Sequence, residues 1–544
     1  VILLCVAVIC YCFKSLAIGA CILTHVAFTI VCTVGALGFF GLSFNNISVI
    51  APLVVVIISV ANSVHIISIF KQGLHQRKKD VSAMIYSMQS NLRPVSLAAI
   101  TTAIGFTSLS MSSSPAIQDF GRIVSVGIGF AYLLTIFMLP FMLVRISNFR
   151  SVSEDIGVNF LQPQLRSVIK FGSNNDKVIF SVCTALAMVT FVLLPLNQTD
   201  FNRLDFIASE SDIREYYDVV EESMNRGLGL IYAIETDIED RAIDPLFLER
   251  ADAFTNWLSD QEEIESVISI IEVIKTINSI INDEDEQKYS IPAEIQTNVN
   301  YLNAYKTVED NFLPLYRFID SDYSAITITV NAKEMTNQQM INLDQRITKE
   351  FSENFPSASL MHGSGVLLFA RMDELVTIEL LQGYSISLLL ITICLTLGFK
   401  SIYYGFLSVI PNLLPATMVF GFWALFVGQL DPFVMMLFSI SIGLVVDDTV
   451  HILSHYLENR RDGITKASAI ENSIITAGPA LTITTMVLAL GTTVLIFANT
   501  LYFQQSAKLL VPIVVLALLL DLLYLPSILR RFDSSFKTRE IVTS

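Results

Sequence analysis

The strongest limit on this fold is a set of eleven apolar runs, at about 1–13, 16–42, 46–70, 94–113, 119–145, 177–195, 376–398, 402–428, 432–456, 479–500 and 504–529. A helix needs about 20 apolar residues to cross a bilayer, and all but the first, incomplete run come to about that length. A soluble chain carries roughly a quarter charged residues. This one of 544 residues carries 15%, and 53% of it is hydrophobic. The chain therefore reads as an integral membrane protein, mainly α-helical.

The runs repeat at a constant offset of 386. Phe13-Lys14-Ser15 falls on Phe399-Lys400-Ser401, Gly19 on Gly405, Val64-His65-Ile66 on Val450-His451-Ile452, Gly105 on Gly491, Gln118 on Gln504 and Leu139-Pro140 on Leu525-Pro526. No gap is needed across this stretch, so chance is a poor account. Equivalent segments keep the same direction, as in transporters built from two parallel halves. In that register the first half lacks the start of its first span and any counterpart of 177–375. The chain thus reads as a fragment lacking the N-terminal span and first external domain of a twelve-span protein.

The net charge of −16 hides a segregation. From Leu196 to Leu375 there are 35 acidic and 13 basic residues, against 15 and 21 in the remainder. Basic residues gather in the connectors, at Lys71, Arg77, Lys78, Lys79 and Arg93, and at the equivalent Arg460, Arg461 and Lys466. Arg145, Arg150, Arg166 and Lys170 follow the fifth run, and Arg530, Arg531, Lys537 and Arg539 close the chain. Strict alternation of spans places all of these on the cytoplasmic side and the acidic block on the other. The expected divisions are a first membrane repeat at 1–145, a cytoplasmic amphipathic linker at 146–176, and a span at 177–195. An external domain at 196–375, the rest of the second repeat at 376–531 and a cytoplasmic tail at 532–544 follow. All seven cysteines lie in apolar runs, so the acidic block has no disulfide framework.

Within that block, Gly229–Glu235, Ile264–Ile271, Tyr323–Val330 and Ser359–Gly363 have strand character. Asp244–Leu258 and Asn337–Phe351 have helical spacing, and 272–320 is polar and partly helical, with an acidic run at Asp283–Glu286. Two β-α-β units predict an α+β, ferredoxin-like domain. Its acids are most simply a solvated surface.

The chemistry sits in Ser441–Tyr456, SIGLVVDDTVHILSHY, inside the run 432–456. Asp447 and Asp448 lie just past the middle of a span, where one Asp costs roughly 2.5–3.5 kcal/mol. Helical spacing puts His451 on a shared face, at i+4 and i+3, with Thr449 beside them. Two carboxylates this close in low dielectric resist being ionised together. Such a group can take a proton from one side and release it to the other, which is what a proton-driven machine requires. Thr482, Thr484, Thr485, Thr492 and Thr493 offer hydroxyls or plain packing. Asp521, in the last run, serves the relay, makes a structural hydrogen bond or lies nearer the interface. His451 and His455 could nominally hold a metal with Asp447, but His455 lies near the cytoplasmic end and no softer ligand is close. No metal or other cofactor is therefore expected beyond a proton gradient. The first-half equivalents are Asn62 for Asp448, Ser63 for Thr449 and His65 for His451, a pseudo-site that keeps the polar shape without the charge. The simplest reading there is hydrogen bonding between helices. No nucleophile–base pair, phosphate-binding glycine loop or metal cluster speaks for an enzyme, and an acidic external domain speaks against nucleic acid.

The chain resembles the resistance–nodulation–division (RND) superfamily, and most of all its hydrophobe/amphiphile efflux branch. That branch is related to the mycobacterial large membrane proteins and to Patched-like lipid carriers. GLVVDDTVHI at Gly443–Ile452, VANSVHI at Val60–Ile66 and HGSGVLLF at His362–Phe369 carry the resemblance. It implies proton-motive-force-driven export of lipids or amphiphiles from a bacterial inner membrane. Asp447 and Asp448 would be the proton relay, and the periplasmic domain would be porter-like. Membrane lipids and a hydrophobic substrate would be the partners, with a homodimer or homotrimer as the assembly. Many relatives carry an acid in both halves, and Asn62 departs from that pattern. A lipid-sensing or assembly protein and a protein-translocation auxiliary are the alternatives.

Overall fold

The computed structural model describes residues 2–76, 79–147, 161–200, 211–224, 228–282, 286–307, 313–498 and 501–533. Much of the expected linker, the acids 283–285, the basic residues at 77, 78, 150, 537 and 539, and nearly all of the tail lie outside these residues. The chain divides into two compact units, Val1–Thr199 with Leu375–Ser544, and Asp200–Glu374.

The first unit begins with α1 (Ile2–Phe13), α2 (Leu16–Phe40), α3 (Ala51–His75), α4 (Asp80–Thr107), α5 (Pro115–Ser147), α6 (Gln162–Asn174) and α7 (Asp176–Leu193). Among the described residues ten helices are long and apolar enough to cross a membrane, and Leu4–Phe13 is a shorter apolar one. The eleven runs of the sequence are thus all helices, the form in which a lipid-embedded segment satisfies its own backbone. In α3 and in the second-repeat helix Pro432–Arg461, 83% of the apolar window is buried inside the protein, against 6% in α7. The first two are therefore the centre of the bundle and α7 lies at its edge.

The repeat is visible in backbone detail. Lys14 and Lys400 both adopt positive φ, at 46° and 55°, in the turn between two helices. The next residue, Ser15 or Ser401, accepts a hydrogen bond from the amide of Ile18 or Tyr404 and caps the following helix. The side-chain amides of Gln118 and Gln504 donate to the equivalent carbonyls of Ser112 and Ala498, at 2.6 and 2.9 Å. Lys71 donates to the carbonyl of Phe13 at 2.9 Å and Arg461 to that of Phe399 at 2.6 Å, so each half places a cation on the same helix C-terminus. Between halves, α4 approaches the helix of Gly443 closely. A Cβ on Gly105 would stand 3.2 Å from the Gly443 Cα, and the Thr102 hydroxyl donates to the Gly443 carbonyl at 2.8 Å.

The second unit opens with α8 (Asp212–Met224). It continues with β1 (Leu228–Glu235), α9 (Pro245–Ser259), β2 (Ile264–Ile268), α10 (Ile270–Ile281), α11 (Ile295–Lys306), β3 (Ala325–Ala332), α12 (Asn337–Asn354) and β4 (Ser359–His362). The sheet order is β2-β3-β1-β4, all antiparallel, with Leu228 opposite Ala332 and Tyr232 opposite His362. This is the ferredoxin-like order, with α10 and α11 inserted between the two β-α-β units. The strand expected to reach Ile271 stops at Ile268. Ser269 and Glu272 form a capping box, with the Glu272 carboxylate accepting from the Ser269 amide at 2.9 Å, and the chain turns helical there.

Two carboxylates organise this unit. Asp344, fully buried, accepts from the Tyr232 hydroxyl at 3.1 Å, lies 2.9 Å from His362 Nδ1 and pairs with Arg371. Burial and the Asp344 charge together push the Tyr232 hydroxyl above its ordinary pKa. Asp320 accepts from the Ser324 amide at 2.8 Å, the Ser324 hydroxyl at 2.6 Å and the Ala325 amide at 3.0 Å. Burial raises its pKa, but these hydrogen bonds outweigh that and hold it below the usual carboxylate value. A depressed folded-state pKa contributes stability that is present above the unfolded value and lost as pH falls through the folded one. Asp320→Asn is therefore expected to cost about 1 kcal/mol at neutral pH, with the difference vanishing in acid well below about pH 4. Unfolding of the two proteins followed across pH checks this.

The remaining helices are α13 (Gly365–Phe399), α14 (Ile402–Phe426), α15 (Pro432–Arg461), α16 (Lys466–Thr493), α17 (Leu501–Leu519) and α18 (Leu525–Phe532). A π-helical turn, Leu520–Tyr524, joins the last two.

Candidate functional site

The site is built on α15, which starts at Asp431. That carboxylate accepts from the amides of Phe433 and Val434 and caps the helix. The helix has no interruption through Asp447 and Asp448. Successive residues on it point about 100° apart, so the two carboxylates enter different surroundings.

Asp447 faces the first repeat. Its Oδ1 is 3.4 Å from His451 Nε2, one turn on, and its Oδ2 is 3.7 Å from His65 Nε2 on α3. The imidazoles of His65 and His451 stack, with centroids 3.7 Å apart and planes within 8° of parallel. These two histidines occupy equivalent positions in the repeat, so the local axis relating the halves passes between their rings. Both are buried.

Asp448 opens on a cleft between the repeats, lined by Asn62, Thr102, Gly443, Thr484, Thr485 and Ala517, that Asp447 also borders. Beyond it lies Asp521, fully buried, whose two oxygens accept from the Thr449 hydroxyl at 2.9 and 3.1 Å. Asp521 sits in the π-helical turn, an irregularity that is frequent at functional positions.

All five residues expected from the sequence thus converge, in two groups rather than on one face. Asp447 joins His451, and Thr449 joins Asp521, which lies close enough to Asp448 for the two charges to interact. Of the first-half residues, His65 enters the first group and Asn62 the wall of the second. Ser63 reaches neither: its oxygen lies 3.2 Å from His25 Nδ1. The sequence treated His65 as half of a separate pseudo-site, because an offset shows equivalence and not contact. Thr484 and Thr485 border the cleft, and Thr482 donates to its own helix at Gly478. His455 lies 3.8 Å from Glu458.

His65, Asp447 and His451 have the composition of a metal-binding triad. Their geometry suits a proton better. Imidazole lone pairs lie in the ring plane, and the rings are stacked face to face. An ion held by both Nε2 atoms would sit half the ring spacing out of each plane. A carboxylate between two imidazoles can instead share one positive charge, while a second would face the first across the stack.

Residues 13–151 match the sterol-sensing domain of SREBP cleavage-activation, and residues 313–537 match the MMPL family. The membrane protein MJ1562 of Methanocaldococcus jannaschii is 24% identical over 272 residues, covering 48% of this chain and 66% of that protein. The hopanoid transporter HpnN of Rhodopseudomonas palustris is 26% identical over 153 residues, covering 27% of this chain and 17% of that one. The chain therefore spans just under two thirds of the first relative and a small part of the second. Among solved structures, the hedgehog release protein Disp from the water bear Hypsibius dujardini superposes with a TM-score of 0.66 at 13% identity, over 97% of this chain and 69% of that one. SecDF in its super-membrane-facing form gives 0.58 at 11%, over 97% and 60%. Fold and family matches agree: this chain is a multi-pass membrane protein of the RND superfamily, of the Patched-like and MMPL-like kind.

Proposed function

We propose that the chain moves a lipid or other amphiphile across or out of a membrane, driven by protons passing through its buried acids. One observation carries this reading: Asp447 of the second repeat lies between histidines of both repeats, so its protonation state bears on how closely α3 and α15 approach. With one proton shared in the triad, carboxylate and imidazolium hold the halves together. A second proton places two cations in a stack at 3.7 Å and drives them apart. Asp448 and Asp521, with Thr449 between helices, form the second station, and the cleft beside Asp448 gives the proton an approach.

On this reading 1–145 and 376–531 are the two membrane repeats, 146–176 is a cytoplasmic connector and 196–375 faces the periplasm or the exterior of a bacterial inner membrane. The polarity rests on the positively charged connectors. A porter-like role for the external unit, and a homodimer or homotrimer, belong to the same reading. The relative HpnN is a hopanoid transporter, which favours a lipid substrate, as does the match to a sterol-sensing domain.

The test uses the full-length protein in proteoliposomes loaded with a fluorescent sterol or, separately, a fluorescent phospholipid. Movement of one probe that needs a pH gradient and stops with a protonophore supports the reading. Movement indifferent to the gradient, or none of either probe, favours the sensing, assembly or protein-translocation alternatives.

A further inference from the structure

Ser63 falls outside the acidic site, and what it binds has its own logic. His25, on α2, is fully buried. Its Nδ1 is 3.2 Å from the Ser63 oxygen on α3, and its Nε2 is 3.2 Å from the Thr135 oxygen on α5. The Ser63 hydroxyl donates to the Ser59 carbonyl at 2.8 Å, so towards the ring its oxygen is an acceptor and Nδ1 carries hydrogen. The Ala131 carbonyl, one turn before Thr135, also lies within reach of the ring. Both nitrogens therefore have acceptors when the ring is a cation, and the Thr135 hydroxyl can donate to Nε2 when it is neutral. A histidine that merely fills space needs only one of these arrangements.

The repeat gives the cluster its meaning. At the offset of 386, Ser63 corresponds to Thr449, Thr135 to Asp521 and His25 to Pro411. In the second half the hydroxyl of Thr449 meets Asp521 directly. In the first half the same two helices are bridged by an imidazole, and the acid has become a threonine. The titratable group has changed helix and kept its place in the bundle.

We propose that His25 is a proton-binding site of the first repeat, the counterpart of Asp521, held by Ser63, Thr135 and the Ala131 carbonyl. The proposal rests on the proton-driven reading for its purpose but not for its test. The elements packed on α2 are α1, α3 and α5. Among the described residues they face the ring with hydroxyls and a carbonyl, and no carboxylate or cation acts on it.

The experiment is nitrogen-15 NMR of the full-length protein in lipid nanodiscs, with its histidines labelled. The signal missing in His25→Gln is that of His25. It is expected to pass from neutral imidazole to imidazolium as the pH falls from about 7 to about 3. Thr135→Val, close in shape, is expected to move that midpoint by about one pH unit, the worth of one hydrogen bond, and it replaces His25→Gln if the latter misfolds. A His25 signal that stays neutral throughout, or is unmoved in Thr135→Val, overturns the proposal. Asp448→Asn is expected to leave this signal alone, so the relay can fail while the His25 site stands, and the reverse.

Discussion

Asp448→Asn in the full-length chain is expected to reduce pH-gradient-driven lipid movement about 100-fold or more, the usual range for losing a positioned proton-transfer group. The substitution keeps shape and hydrogen-bonding capacity but ends proton exchange. It should not harm folding. Asn62 already occupies the equivalent position of the first repeat, buried at 3% exposure, so a helix of this bundle accommodates the amide. Removing one of two neighbouring acids also removes repulsion between Asp448 and Asp521. Transport in proteoliposomes and thermal unfolding of the same preparation form the check. Undiminished, gradient-dependent movement would refute the role of Asp448.

The second large effect concerns how the halves meet. Gly105→Leu is expected to destabilise the protein by about 1–3 kcal/mol and to impair transport together with it. The new Cβ would stand 3.2 Å from the Gly443 Cα and 3.5 Å from its nitrogen, and backbone cannot swing aside as a side-chain tip can. Helix α4 would have to withdraw from α15, breaking the hydrogen bond from Thr102 to the Gly443 carbonyl. Small residues at helix crossings allow this close approach within membranes. Gly443→Ala is the control. Its Cβ would meet the Phe106 ring at 3.4 Å, an ordinary contact, so its unfolding temperature should stay near that of the parent. Equal losses from both substitutions would count against the argument.

Much of this architecture was legible in the residues because its causes are local or periodic. Apolar length marks spans, and a fixed offset marks duplication. Alternating strand and helix signals foretold a ferredoxin-like sheet whose order then proved to be β2-β3-β1-β4. The acids at 447 and 448 stood out because hydrocarbon penalises them. What escaped was contact between distant segments. Nothing in VANSVHI says that His65 lies against Asp447, since equivalence by repeat is silent on whether two copies touch. The divergence of Asp447 and Asp448 was within reach, because adjacent helical residues point apart. His25 stands in the sequence as a single polar residue in an apolar run, and only the offset of 386, which sets it on Pro411 and Thr135 on Asp521, marks it out. The buried Asp344 network was invisible because its members, Tyr232, His362 and Arg371, come from three separate elements.

Infrared difference spectroscopy of the full-length protein in lipid addresses the central claim most directly, since it sees a protonated carboxylic acid by its carbonyl stretch. Between about pH 8 and about pH 5 a buried acid band should grow, shift in heavy water, and disappear or shrink in Asp448→Asn. A spectrum with no such band, or with one that Asp448→Asn leaves untouched, would contradict proton carriage by this acid.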